Sequence, residues 1–221
     1  MKVYVDFDNT LVDSVSAFIS RYNSLYNKKV KSETITSYSF DDIKLSSDEV
    51  SRGFHSNFFF SELKLYPEAL KSLTRMKQEG AELILITRGD AKNLAMKLEW
   101  LEKNHVVKDL FSDMIFTTND MRNIKVDMTD GILIDDLRVN HLNSNARYKY
   151  AYKDAECRKW FPIPDDGVKI YSSWGMIADE ICLMLQPTEV KEAKQQQKKK
   201  PGKKIHHKSN NSSRNIPNKK S

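Results

Sequence analysis

Two aspartates stand two positions apart in Asp6-Phe7-Asp8, and two more are adjacent at Asp135-Asp136. Carboxylates that close repel one another, so a cation between them is expected, and hard oxygen ligands suit Mg2+. A divalent ion there neutralises charge and lets an anionic nucleophile approach an anionic phosphate. Phosphoryl transfer also needs donors for the equatorial oxygens. Thr87 offers a hydroxyl, and the amide of Arg88 opens a turn before a helix, a natural anion site. Lys125 lies ten residues before Asp135, on the connection into the same strand, and can reach the same mouth.

These residues need elements that bring them together. Lys2–Phe7, Ala81–Ile86 and Gly131–Ile134 read as buried strands, with weaker strands at 114–116, 149–152 and 168–171. Apolar residues at helical spacing mark a helix over 14–26 (Val15, Phe18, Ile19, Tyr22, Leu25). Pro67 opens a second helix to about Gly80. Asp90 caps a third, to about Asn104, and Ser173 a last one ending near Leu185. Strands alternating with helices, several strands being continuous apolar runs, predict a doubly wound, Rossmann-like α/β domain with a mostly parallel sheet. Ligands of such sheets sit beyond the carboxyl ends of the strands. Asp6 and Asp8 follow the first strand, Thr87 and Arg88 the second, Asp135 and Asp136 the third.

The stretch between the first strand and Pro67 is long for one connection. Residues 14–65, with helical runs expected near 41–43 and 47–60, are read as a small helical cap over a core made of 1–13 and 66–186. A cap excludes water and reads the part of a substrate away from the reacting centre.

The formal net charge of +6 misdescribes the body of the chain. From Glu189 onward there are eleven Lys or Arg and two Glu, a net of +9, so residues 1–188 sum to −3. A mildly acidic body gives no electrostatic case for nucleic-acid binding by the folded part. Residues 187–221 are Lys, Gln, Asn and Ser with almost nothing apolar, and read as a disordered tail. Its charge also allows contact with a nucleic acid or other polyanion. The first residues carry an acid where a secretory leader is apolar, and no apolar run is long enough for a bilayer. A cytoplasmic location without membrane contact is therefore expected.

The motifs resemble a known set. Asp6-Phe7-Asp8-Asn9-Thr10-Leu11-Val12-Asp13-Ser14 is similar to the first signature of the haloacid-dehalogenase-like (HAD) phosphatases, DxDx[TV]. Leu85-Ile86-Thr87-Arg88-Gly89 resembles the second, Lys125 fits the third, and Leu133-Ile134-Asp135-Asp136 fits the fourth. All four stand in order across residues 1 to about 140. The resemblance implies that Asp6 attacks phosphorus and that Asp8 serves as acid and then base. It also implies that Mg2+ sits on the Asp6 carboxylate, the Asp8 carbonyl oxygen and an acid of the Asp135-Asp136 pair, with Thr87 and Lys125 holding the phosphate.

A narrower resemblance is to the 5'(3')-deoxyribonucleotidases. It rests on Phe59-Phe60-Ser61-Glu62-Leu63, on Tyr66-Pro67-Glu68-Ala69-Leu70, on Lys97-Leu98-Glu99-Trp100-Leu101-Glu102-Lys103 and on the spacing from Lys125 to Asp135. Those enzymes usually carry Gly at the place of Asn9. The implied substrate is a small phosphorylated molecule, a nucleoside monophosphate. Two alternatives remain: an end phosphatase of polynucleotides recruited by the basic tail, and a binding protein on the same scaffold. Phe59 and Phe60 are candidates for stacking on a base, with packing as the competing role. Trp100 reads as core. His105, His141, His206 and His207 lack partners at ligand spacing and read as surface residues. Cys157 and Cys182 match no zinc or redox spacing and read as reduced thiols.

Overall fold

The computed structural model describes residues 1–118 and 125–186; the basic segment 187–221 lies outside the described residues. Six strands, β1 (Lys2–Asp6), β2 (Glu82–Gly89), β3 (Asp113–Thr118), β4 (Ile132–Ile134), β5 (Tyr148–Tyr152) and β6 (Lys169–Tyr171), form one sheet. All pairs are parallel, in the order β3-β2-β1-β4-β5-β6. The order turns outward from β1 in both directions, which opens a crevice where β1 and β4 end side by side.

Side-chain alternation explains why both faces are buried. Val3 and Val5 join Leu83, Leu85, Ile132 and Ile134 in the main core, while Tyr4, Ile84 and Leu133 fill the opposite face with Met128 and Ala146. The register pairs Val3 with Leu83 and Ile132, so equivalent positions of the three central strands share a face.

Between β1 and β2 run α1 (Ser14–Tyr26), α2 (Ser47–Phe54), α3 (Asn57–Glu62) and α4 (Ala69–Gln78), with 3-10 turns at Ser32–Thr34 and Asp41–Ile43. Asp13 caps α1 by accepting from the Ser16 amide. The helical run expected over 47–60 is two helices, because the Ser56 hydroxyl accepts the Phe59 amide and starts a new N-terminus. Phe18, Phe40, Phe54, Phe59 and Phe60 pack ring to ring inside this insertion. A Cβ at Gly53 would collide with the Phe18 ring, so only glycine allows α2 to lie this close to α1.

After β2 come α5 (Ala91–Lys103) and α6 (His105–Lys108); α7 (Arg138–Asn143) follows β4, and α8 (Trp174–Leu185) closes the described chain. The stripe Trp174, Ile177, Ala178, Ile181 and Cys182 is buried, and α8 packs on α4. No helix among the described residues is long and apolar enough to cross a membrane.

Candidate active site

β1 ends at Asp6, and a tight turn begins at Phe7, whose carbonyl accepts from the amides of both Leu11 and Val12 (3.1 Å each). Asn9 takes the left-handed conformation (φ 54°), and its side chain accepts from the Val15 amide at 3.1 Å. Asparagine tolerates this region better than most non-glycine residues, so the turn closes here without glycine. A turn, rather than strand alternation, therefore brings Asp8 beside Asp6. Both carboxylates line a cavity of about 660 Å3 at the carboxyl end of the sheet.

Asp135 and Asp136 follow β4, the neighbour of β1, and each is only 3% exposed. One carboxylate oxygen from each of Asp6, Asp135 and Asp136 lies within 4.8 Å of the others. Both Asp135 oxygens already hold donors, the Leu137 amide (2.7 Å) and the Asn140 side chain (2.9 Å). Asp136 Oδ2 accepts from the indole of Trp160 at 2.7 Å. Burial pushes the pKa of Asp6 and of Asp136 well above the usual carboxylate range, and the neighbouring acids push further; burial raises Asp135 too. A buried set of hard oxygens whose charged forms are disfavoured by burial fits a divalent cation of the Mg2+ type.

A buried lysine braces the site. Lys97 of α5 is 1% exposed, and its ammonium donates to Asp8 Oδ2, to Thr87 Oγ1 (2.8 Å) and to the Arg88 carbonyl (3.0 Å). It also sits 5.3 Å from the centre of the Phe7 ring. Three partners satisfy its three donors, which is what a buried ammonium requires. The Ser14 hydroxyl donates to the other Asp8 oxygen at 2.7 Å. Thr87 is buried on β2, while Arg88 and Lys125 are exposed on the wall of the same cavity.

A second cavity, about 240 Å3, opens from Asp8 and Arg88 toward the insertion. Tyr38, Phe40, Phe54 and Trp160 supply its aromatic walls. Tyr38 lines both cavities. At the rim His55, from the end of α2, places Nε2 2.6 Å from Asp90 Oδ2, and Asp90 Oδ1 accepts the Asn93 amide. Asn93 in turn donates to the Phe54 carbonyl at 3.2 Å, so insertion and sheet are tied at this edge.

The family model for "5' nucleotidase, deoxy (Pyrimidine), cytosolic type C protein" matches residues 1–158. The chain belongs to this nucleotidase family. No relative is found among curated proteins. Among solved structures, a predicted phosphatase from Clostridium acetobutylicum has 16% identity and a TM-score of 0.52, over 81% of this chain and 97% of that one. A predicted phosphoglycolate phosphatase from Haemophilus somnus has 16% identity and a TM-score of 0.53, over 81% and 96%. A protein described as the HAD-hydrolase YfnB from Bacillus subtilis, bound to magnesium, has 13% identity and a TM-score of 0.53, over 81% and 97%. These likenesses show the fold. Membership of this family makes the chain a phosphohydrolase of the nucleotidase type, on a fold shared with these structures.

Several residues of this nucleotidase lie elsewhere than the sequence led us to expect. Phe59 and Phe60 are buried and line neither cavity; their rings complete the aromatic cluster of the insertion, which corrects their reading as base-stacking residues. His141 is buried rather than at the surface. Burial lowers its pKa, and Nε2 lies 2.8 Å from the Asp135 carbonyl, so the neutral ring buttresses the acid pair. Trp100 packs against Phe7 as core. Lys97, Tyr38, His55 and Trp160 were not anticipated at the site. For Lys97 a signal existed: with Trp100 and Leu101 it falls on the buried stripe of α5, where a lysine needs an acid.

Proposed function

We propose that this nucleotidase-family chain is a Mg2+-dependent phosphomonoesterase working through an aspartyl phosphate, with nucleoside monophosphates, deoxy ones included, as substrates. The observation that carries this reading is the convergence of Asp6, Asp135 and Asp136 within 4.8 Å at two adjacent strand ends, with Asp8 on the same cavity wall. Residues 14–65 act as its cap. The family's description as cytosolic fits a cytoplasmic enzyme.

The Asp6 carboxylate and the Asp8 carbonyl oxygen would hold Mg2+ together with an acid of the 135–136 pair. Asp136 is the better direct ligand, because among the described residues one of its oxygens accepts no hydrogen bond, whereas both of Asp135's do. The ion supplies charge neutralisation between nucleophile and phosphate. Thr87, Lys125 and the Arg88 amide hold the phosphate oxygens. An Asp6 oxygen forms a bond to phosphorus as the bond to the leaving oxygen breaks, and Asp8 gives that oxygen a proton. Water then attacks phosphorus, Asp8 takes its proton, and the bond from Asp6 to phosphorus breaks. Lys97 holds Asp8 against Thr87, so the acid keeps its place through both halves. The leaving nucleoside occupies the aromatic 240 Å3 cavity.

The test is a screen of purified protein with Mg2+ against nucleoside monophosphates, sugar phosphates and end-phosphorylated oligonucleotides, with and without residues after Gln186. Release of phosphate from the monophosphates by both forms supports the reading. Activity confined to sugar phosphates, or to oligonucleotides and only with the tail, refutes the substrate assignment.

A further inference from the structure

We infer that Trp160 is a positioning residue for the acid cluster, one that links the leaving-group cavity to the orientation of Asp136. The inference rests on the metal-dependent phosphatase reading above and extends it to a residue outside the four signature motifs.

Trp160 lies between β5 and β6, far in sequence from every signature, and is 7% exposed. Its indole Nε1 donates to Asp136 Oδ2 at 2.7 Å, a hydrogen bond buried at both ends. An indole is a donor only, so it constrains one carboxylate oxygen without competing for a cation. The ring is held from several sides. The Arg158 guanidinium stands 5.3 Å from its centre, and the Tyr38 ring meets it edge-on at 6.0 Å. The Trp160 carbonyl accepts from the Arg138 amide at 2.9 Å, at the start of α7.

The same few residues tie the insertion to the sheet. Arg158, paired with Asp154, donates to the carbonyls of Ser32 (2.7 Å) and Ile35 (2.6 Å), and the Lys159 amide donates to the Thr36 carbonyl (3.1 Å). Trp160 follows directly and forms a wall of the 240 Å3 cavity with Tyr38. One indole therefore borders the space for the leaving group and holds an acid of the cluster through its N–H. Partners that orient ligating carboxylates typically carry about 10- to 100-fold of metal affinity.

The experiment compares the full chain with Trp160→Phe, which keeps an aromatic wall and removes the donor. Mg2+ affinity is measured by calorimetry without substrate, and kcat and KM are measured at limiting and saturating Mg2+. Expected are an Mg2+ Kd raised about tenfold, a lowered kcat at limiting Mg2+ that excess Mg2+ restores, and a largely unchanged nucleotide KM. An unchanged Mg2+ Kd in a folded Trp160→Phe protein overturns the inference while leaving the phosphatase reading intact. A shifted Kd in a chain that hydrolyses no phosphomonoester upholds it and defeats that reading. A second measurement needs no change at Trp160. The indole N–H resonances of the parent are followed on adding Mg2+ and in Asp136→Asn. Movement of one resonance in both supports the contact, and no movement in either overturns it.

Discussion

The ammonium of Lys97, on α5, donates to the hydroxyl of Thr87, on β2, at 2.8 Å. The same group holds Asp8, so one buried cation joins Thr87, which we propose binds phosphate, to the acid of the turn after β1. Replacing Lys97 by Met keeps the stem volume and removes all three donors. We expect kcat/KM to fall on the order of 10²-fold, the scale of a misplaced acid–base group. Melting temperature should change little, since Asp8 is partly open to water and can be solvated when unpaired. Steady-state kinetics alongside a thermal melt checks this; parental kcat/KM would deny Lys97 its positioning part.

Metal-free stability should fall as pH rises. Asp6 and Asp136 have folded pKa values raised first by burial and then by neighbouring acids, Asp135 foremost, so the native state holds more protons than the unfolded chain. Their contribution is complete below the ordinary carboxylate range and is lost as pH climbs through the raised folded values. Mg2+ replaces those protons, so the rise in Tm on adding it should be larger at about pH 8 than at about pH 5. Calorimetric melts in EDTA and in Mg2+ decide the point, and an increment independent of pH would count against a shared cation site.

Asp90 carries two duties, capping α5 through the Asn93 amide and pairing with His55 across the cavity rim. Asp90→Ala should cost about 1 kcal/mol from the lost cap, with a matching drop in denaturant midpoint. Substrate affinity should weaken as well, because His55 and Asn93 border the aromatic cavity. Urea unfolding and KM report the two effects separately, and a change in neither would mean that this edge holds nothing in place.

The parallel sheet, its strand ends and the four acids were legible because a buried parallel strand leaves a continuous apolar run, and the chemistry sits where that run stops. The start of α1 was legible too, since Asp13 precedes a clean helical period. Tyr38 and Trp160 were not. Both lie on irregular segments, where no periodicity states which side chain faces a cavity. His141 was misread for a related reason: its partner is a backbone carbonyl, and backbone acceptors leave no mark in a sequence. Phe59 and Phe60 gave a true sign of burial, but not of what they are buried against.

Every residue assigned to the site lies before Gln186. A chain ending there should therefore keep kcat and KM for a nucleoside monophosphate. Kinetics of the shortened protein tests this directly, and a marked loss would give the basic segment a part in the chemistry.

The central claim is that Asp6, at the end of β1, is the group that becomes phosphorylated. Asp6→Asn preserves the shape of the side chain and removes its charge. Turnover of a nucleoside monophosphate is to be measured in saturating Mg2+ for this variant, with circular dichroism and a melt showing that it is folded. We expect no turnover above background. Hydrolysis at the parental rate by folded Asp6→Asn protein would contradict the account.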